Sequence, residues 1–525
     1  MKIPIIVWLT MGAALAAPNA SLEPKPLSSP RLPFEAASFS APRSRIDEFV
    51  FARLSKEKIP AAFPCSDAVF IRRVFIDLIG TLPTGDEVSS FLADKASDKR
   101  AKLVETLFTR EEFADYWAMR LSDVLRVKSE FPINLWPNPA QSYHRMLRAN
   151  IQANVPVNTL ARNLLTATGS NMRVPESNFY RAVENREPRS LAAAASLAFM
   201  GVRREAWTNA QLDSLAMFFS RVGYKATSEW KEEIVYFDES KPAPSNSVRL
   251  PDGQKITIPP DVDPRTVFAD WLLQPQNPWF ARSFANRVWF WLLGRGIVNE
   301  PDDFRTSNPP SDPKLLAYLE KEFTSHGYDM RHLIRLIANS RTYQLSSIPA
   351  TTDPKVAELF GCYPLRRLDA EVMIDALCAV TGSSETYSSL IPEPFTFLPE
   401  GTRAVALPDG SISSSFLELF GRPNRDSGLA AERSLKPSGN QSLHFLNSSH
   451  VRNKIEKSAL LRDVLVTNGP NTPVTRLYLQ ILSRLPTDEE TRLFRETVAA
   501  TPNKRDAIID VTWALLNTTE FLCRH

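Results

Sequence analysis

Residues Thr81-Leu82-Pro83-Thr84-Gly85-Asp86-Glu87 and, near the other end of the chain, Arg484-Leu485-Pro486-Thr487-Asp488-Glu489-Glu490 read as the same helix start written twice. Proline keeps the incoming chain extended. Threonine offers its hydroxyl to the unpaired N–H groups of the first turn, and the acids favour the positive end of the helix dipole. Each start leads to a short apolar turn, Phe91-Leu92 or Leu493-Phe494. A Lys-Arg pair follows (Lys99-Arg100, Lys504-Arg505), then an apolar helix, then Glu112-Phe113 or Glu520-Phe521. This matched order predicts a repeated helical unit, and two copies at opposite ends do not make a solenoid.

Outward from these units the apolar spacing stays helical. Ile46, Phe49, Val50 and Leu54 recur at helical intervals, and similar patterns cover 103–108, 116–125 and 191–200. In the second half Phe280, Phe284, Val288, Trp291 and Leu292 form one stripe. Leu315, Leu316, Leu319 and Phe323 form another; Leu333, Ile334 and Ile337 a third; and 368–380 a fourth. A last helical segment spans about 441–523. Residues 225–265 break the pattern with prolines, and Pro251-Asp252-Gly253 is a turn signal between two short alternating runs. Residues 383–425 are irregular, longer than loops usually are, and read as a lid, a docking segment or disorder. The expected fold is mainly α: two helical domains, 44–224 and 266–525, joined by a Pro-rich segment, 225–265, that carries a candidate β-hairpin.

Composition agrees. The 525 residues are 43% hydrophobic and 23% charged, enough to bury a sizeable core. Eighteen glycines against 41 prolines disfavour dinucleotide folds and propellers and suit helices punctuated by proline. A net charge of +3 is too balanced to argue for nucleic acid or an anionic membrane.

The N-terminus has Lys2, an apolar run over 3–15 and Ala14-Leu15-Ala16 as a cleavage site. Residues 1–16 are therefore expected to be a signal peptide, too short to span a membrane, followed by a Pro/Ser/Ala-rich linker at 17–43. The alternative is an uncleaved anchor. The mature chain is expected to be exported, in a periplasm-like space, with no membrane span. Export permits disulfides among Cys65, Cys362, Cys378 and Cys523, with three pairings open. Cys378 lies on an apolar helical face and reads as a buried thiol; Cys523 reads as a free one.

Few residues are available for metal or redox chemistry, and the six histidines are scattered. His326 and His332 are six apart, as are His444 and His450, a poor ligand spacing. C-x-x-C-H, H-E-x-x-H, a Walker lysine loop and G-x-S-x-G are all absent from the sequence. Gly294-Arg295-Gly296 follows a helical pattern and reads as a helix C-cap. Two polar clusters stand out. Asp302 and Asp303, with Arg305, could serve acid–base chemistry if their environments differ, or form a loop ion pair. Arg422, Arg425, Glu432 and Arg433 read as a buried salt-bridge network, or as a grip for an anionic ligand. Trp136, between prolines, is the tryptophan expected to be exposed.

The stretch from Arg72 to Thr84, Arg-Arg-Val-Phe-Ile-Asp-Leu-Ile-Gly-Thr-Leu-Pro-Thr, resembles the opening of a domain of unknown function abundant in planctomycetes. Asn277-Pro278-Trp279-Phe280-Ala281-Arg282, Asn286-Arg287-Val288-Trp289, Asp302-Asp303-Phe304-Arg305, Asn308-Pro309-Pro310-Ser311 and Phe420-Gly421-Arg422-Pro423 resemble its usual partner domain. The pair are the planctomycete cytochrome-associated domains fifteen-forty-nine and fifteen-fifty-three. The resemblance implies export, an architecture, and in many members an added cytochrome-type haem domain, but no established activity.

The departures from the family pattern each remove a soft or imidazole ligand. Gly201-Val202-Arg203 is followed by Arg204-Glu205-Ala206-Trp207-Thr208, where many members have C-x-x-C-H. Phe290-Trp291-Leu292 and Ser311-Asp312-Pro313 stand where members often carry histidine, and Leu429-Ala430-Ala431 where they often carry C-x-C. The resemblance thus implies a scaffold that lost its haem or metal positions, with no cofactor and no metal site. The leading expectation is an exported, non-catalytic binding or scaffold protein that docks another exported protein or a polysaccharide. A polysaccharide hydrolase using Asp302 and Asp303 is the first alternative; it needs both carboxylates in one cleft, about 5–9.5 Å apart. An electron-transfer component is the second.

Overall fold

The computed structural model describes residues 29–244, 247–466 and 472–525. The expected signal peptide and the first part of the linker lie outside the described residues. Among those described, 23 α-helices dominate, with about 52% of the chain helical and only small sheets. None of these helices is long and apolar enough to cross a membrane.

Both repeated starts fold as capping boxes. Thr84 Oγ1 accepts from Glu87 N at 3.2 Å while Glu87 accepts from Thr84 N at 2.7 Å. Thr487 and Glu490 do the same at 3.2 and 2.8 Å. In each copy the capping glutamate also pairs with an arginine that reaches the glutamate of a later helix: Arg110 holds Glu87 and Glu112, and Arg484 holds Glu490 and Glu520. The copies touch. Gly85 N donates to Gln480 Oε1, and buried Arg72 donates to the carbonyls of Ile481 and Phe521.

Just before each start the chain turns through the left-handed region, at Gly80 (φ +62°) and at Ser483 (φ +57°). A Cβ on Gly80 would lie 2.5 Å from the Tyr116 ring. Gly80→Ala is therefore expected to cost about 1–3 kcal/mol, from αL strain plus the clash. An unchanged urea midpoint would contradict this reading of the turn.

The predicted stripes are buried. Phe280, Phe284, Val288, Trp291 and Leu292 point inward from the helix Phe280–Leu293; so do Leu315, Leu316, Leu319 and Phe323 from Pro313–Ser325, and Leu333, Ile334 and Ile337 from Met330–Ala338. The two flanks of 225–265 share core contacts: Trp117 meets Trp291 edge-on at 5.7 Å, and Arg73 packs 3.7 Å from the Tyr363 ring centre.

The hairpin at Pro251-Asp252-Gly253 forms between Ser247–Arg249 and Lys255–Thr257. A second sheet differs from the sequence expectation. Gly169–Ser170, Glu233–Phe237 and Val222–Ala226 make a three-stranded antiparallel sheet. Its sequence cue is the run Ile234-Val235-Tyr236-Phe237, whose β-branched and aromatic side chains favour a pleated surface inside the otherwise Pro-rich 225–265.

Residues 383–425 are mostly irregular yet well anchored. Asp375 accepts from Ala404 N at 2.7 Å and Val405 N at 3.1 Å, and Val405, Leu407, Ile412 and Leu417 are buried. Burial pushes the Asp375 carboxyl up to about 7, against the pull of Arg403 and those two N–H donors.

Candidate functional site

The helix Phe280–Leu293 ends at Gly294, whose φ of +70° places the next residue, Arg295, outside the helix. Gly294 is thus the C-cap expected from Gly-Arg-Gly. Across from it, Arg366–Arg367 pairs as a short strand with Cys523–Arg524, and segment 420–437 closes the third side. These three pieces of chain, distant in sequence, bring together a dense set of arginines.

Most of this set is a buried ion network. Arg433 donates to Glu371 at 2.6 and 3.0 Å and to Asp123 at 2.7 Å. Arg425 Nε donates to Asp123 at 2.9 Å. Asp369 accepts from Arg120 at 2.6 Å and from Arg524. Burial alone would lower the Arg433 pKa; the carboxylates of Asp123, Glu371 and Asp369 reverse this and hold it well above the ordinary value. Arg422, which donates to the carbonyls of Asp409, Gly410 and Ile412, is lowered to about 10 by burial and by Arg425.

Against this network lies a cleft of about 920 Å³, the size of a small-molecule site. Its wall carries Arg295, Arg366, Arg367, Arg433 and Lys436 against the single carboxylate of Glu300, with Phe290, Phe420 and Phe445 as apolar surface. Arg366 Nε, Arg367 Nε and Nη1, and Arg433 Nε are buried and make no hydrogen bond within the protein. Arg295 is the clearest case. It is half-buried, its Nε is buried and unbonded, and it makes no ion pair among the described residues. Arg367 is anchored by Nη2 to the carbonyls of Phe420 and Ser434 at 2.6 and 2.7 Å, which leaves its other nitrogens free. Planar guanidiniums outnumbering carboxylates on a partly apolar wall suit a carboxylate, phosphate or sulfate group.

The candidates from sequence are dispersed around this cleft. Asp302 is buried: Oδ1 accepts from Arg287 at 3.0 Å and Oδ2 from Ala430 N at 2.6 Å. Arg287 in turn holds the carbonyls of Leu197 and Ala198, which have no intrahelical donor in the last turn before the C-cap Gly201. Asp303 pairs with Arg305 at 3.1 Å. The two carboxylates therefore have separate partners, and Asp302 has no free oxygen. Glu432 caps Asp426 N and Ser427 N at 2.9 and 3.0 Å rather than binding an arginine. Of the arginine cluster, Arg433 alone lines the cleft, while Arg422 and Arg425 lie behind it.

Trp136 is half-buried rather than exposed, because Phe395 and Trp230 pack edge-on against it at 5.3 and 6.4 Å. Trp230 is the exposed member, at 69%.

The reading of the histidines as scattered also changes. His444 Nε2 lies 3.2 Å from His450 Nδ1, and His450 reaches Glu385 at 2.8 Å. His326 and His332 stack face to face, with Glu322 beside both. Tight reversals between consecutive helices, at Gly327-Tyr328 and at Ser448, bring residues six apart together. All four cysteines are free thiols. The site residues missed from sequence were Arg295, Arg366, Arg367 and Lys436; Arg366-Arg367 ahead of an apolar helix was the available cue.

Segment 201–208 supplies no thiol or imidazole, so it does not fit a covalently held haem. No curated protein and no solved structure matches the chain. Two family models do. Residues 45–211 match PSCyt2, a protein of unknown function (DUF1549), and residues 264–498 match PSD1, a protein of unknown function (DUF1553). The helical repeat, the Arg287–Asp302 anchor and the arginine-walled cleft are thus features of a chain that belongs to the planctomycete cytochrome-associated family of paired domains of unknown function.

Proposed function

We propose that this is an exported, non-catalytic binding protein whose arginine-walled cleft seats an acidic group of its partner. The observation that supports the reading is the gathering of Arg295, Arg366, Arg367, Arg433 and Lys436 on one cleft wall against the single carboxylate of Glu300. Burying charge without a partner is costly, and an incoming anion supplies that partner. The hydrolase alternative loses support because both oxygens of Asp302 are engaged.

The test is a titration of the purified mature protein with polygalacturonate, polyglutamate, inorganic phosphate and neutral dextran. The acidic probes are expected to raise the melting temperature and to lose affinity as salt is added. Equal behaviour of dextran and the acidic probes at low salt would remove the proposal.

A separate observation favours a polysaccharide over a protein partner. Trp230, Phe395 and Trp136 form an aromatic group at the surface, and Lys231 Nζ lies 4.7 and 5.3 Å from the two indole rings. Such amphipathic rings suit the apolar faces of sugars. Trp230→Ala is expected to reduce retention on insoluble glycan at least fivefold without moving the melting temperature. Unchanged retention would point back to a protein partner.

A further inference from the structure

The geometry points to a site for a borderline divalent metal ion, zinc by its donor set, formed by Glu322, His326 and His332 away from the cleft. Glu322 lies one turn before His326 at the end of the helix Pro313–Ser325. The chain reverses through Gly327 (φ +67°) and Tyr328 (φ +60°), and His332 returns in the first turn of Met330–Ala338. Asp329 fixes that return by capping Arg331 N and His332 N at 2.8 and 3.2 Å.

The distances match a coordination sphere. Glu322 Oε2 lies 3.5 Å from His326 Nδ1 and 3.2 Å from His332 Nε2. Metal–ligand bonds of about 2.0–2.1 Å at tetrahedral angles put neighbouring ligand atoms about 3.3 Å apart. The three groups offer atoms that all lie within 4.8 Å of one another. Two imidazoles and one carboxylate are also the donor set of open zinc sites, which keep a position for water.

One rearrangement is required. The rings are stacked with centroids 3.6 Å apart and planes 14° apart, so their in-plane lone pairs do not converge. His326 Nδ1 also lies 2.9 Å from the Glu322 carbonyl. His326 must turn out of the stack, and its side chain, 48% exposed, has room to do so. His332, more enclosed and already on Glu322, is the fixed ligand.

The full mature chain, stripped with chelator, would be titrated with Zn²⁺ by calorimetry and with Co²⁺ by absorbance at pH 7.5. One ion per chain is expected, with affinity at least tenfold weaker in His326→Ala and in His332→Ala. The His444→Ala/His450→Ala double variant is expected to bind as the parent does. Metal-free melting curves of all variants separate a lost ligand from a lost fold. Stoichiometric binding that survives both single variants, a site abolished only in the double variant, a thiolate–cobalt band, or no binding at all would each overturn the assignment.

Discussion

Asp369→Asn is expected to cost about 3–5 kcal/mol of stability at neutral pH, the usual consequence of removing one partner of a buried ion pair. Asp369 is 1% exposed and accepts from Arg120 and Arg524, with Arg433 3.6 Å away. Asparagine keeps the shape and removes the charge, so three buried guanidiniums lose their common counter-ion. Burial by itself would raise the Asp369 pKa; the guanidiniums of Arg120, Arg524 and Arg433 overturn that and hold the carboxyl far below its ordinary value. A carboxyl depressed in the folded state adds stability above its unfolded pKa, about 3.9, and that stability fades as pH falls toward the folded value. The difference between the parent and Asp369→Asn should therefore be full at pH 5–7 and shrink steadily below about pH 4. Chemical denaturation at a series of pH values reads both effects. Equal midpoints at pH 7 would mean the arginines find other acceptors.

Arg295→Ala is expected to act the other way: a large loss of binding with no loss of stability. A hydrogen bond to a charged group is worth about 1.5–3 kcal/mol, so affinity for polygalacturonate should fall roughly 10- to 100-fold. The melting temperature should not move, since among the described residues this guanidinium makes no hydrogen bond or ion pair that its removal would break. Arg295→Lys keeps the charge but not the fork and should recover only part of the affinity. Arg433→Ala is a poor substitute test, because it strips Glu371 and Asp123 of a partner and should destabilise the fold. Unaltered binding in Arg295→Ala would place the acidic ligand elsewhere and free the cleft of that role.

The helical architecture was legible because it rests on local rules. Thr84 and Thr487 cap the helices they precede, and the stripe from Phe280 to Leu292 turns one face inward by spacing alone. The hairpin at Pro251-Asp252-Gly253 is equally local. The sheet of 169–237 was not, because its first strand has only two residues and pairs across more than sixty positions.

The sites were legible only in part, for the same reason. The sequence determined that Arg422, Arg425 and Arg433 would need counter-charges, since guanidiniums cannot be buried alone. It did not say that Asp123 and Glu371, from two other helices, would provide them. Spacing placed His326 and His332 on no common helical face, and only the reversal at Gly327 stacks them. Local hydrogen bonding and periodicity are fixed by neighbours in the chain. The balance of charge around a cleft is fixed by neighbours in space, and only the folded chain brings Arg295, Arg366–Arg367 and Arg433 onto one wall.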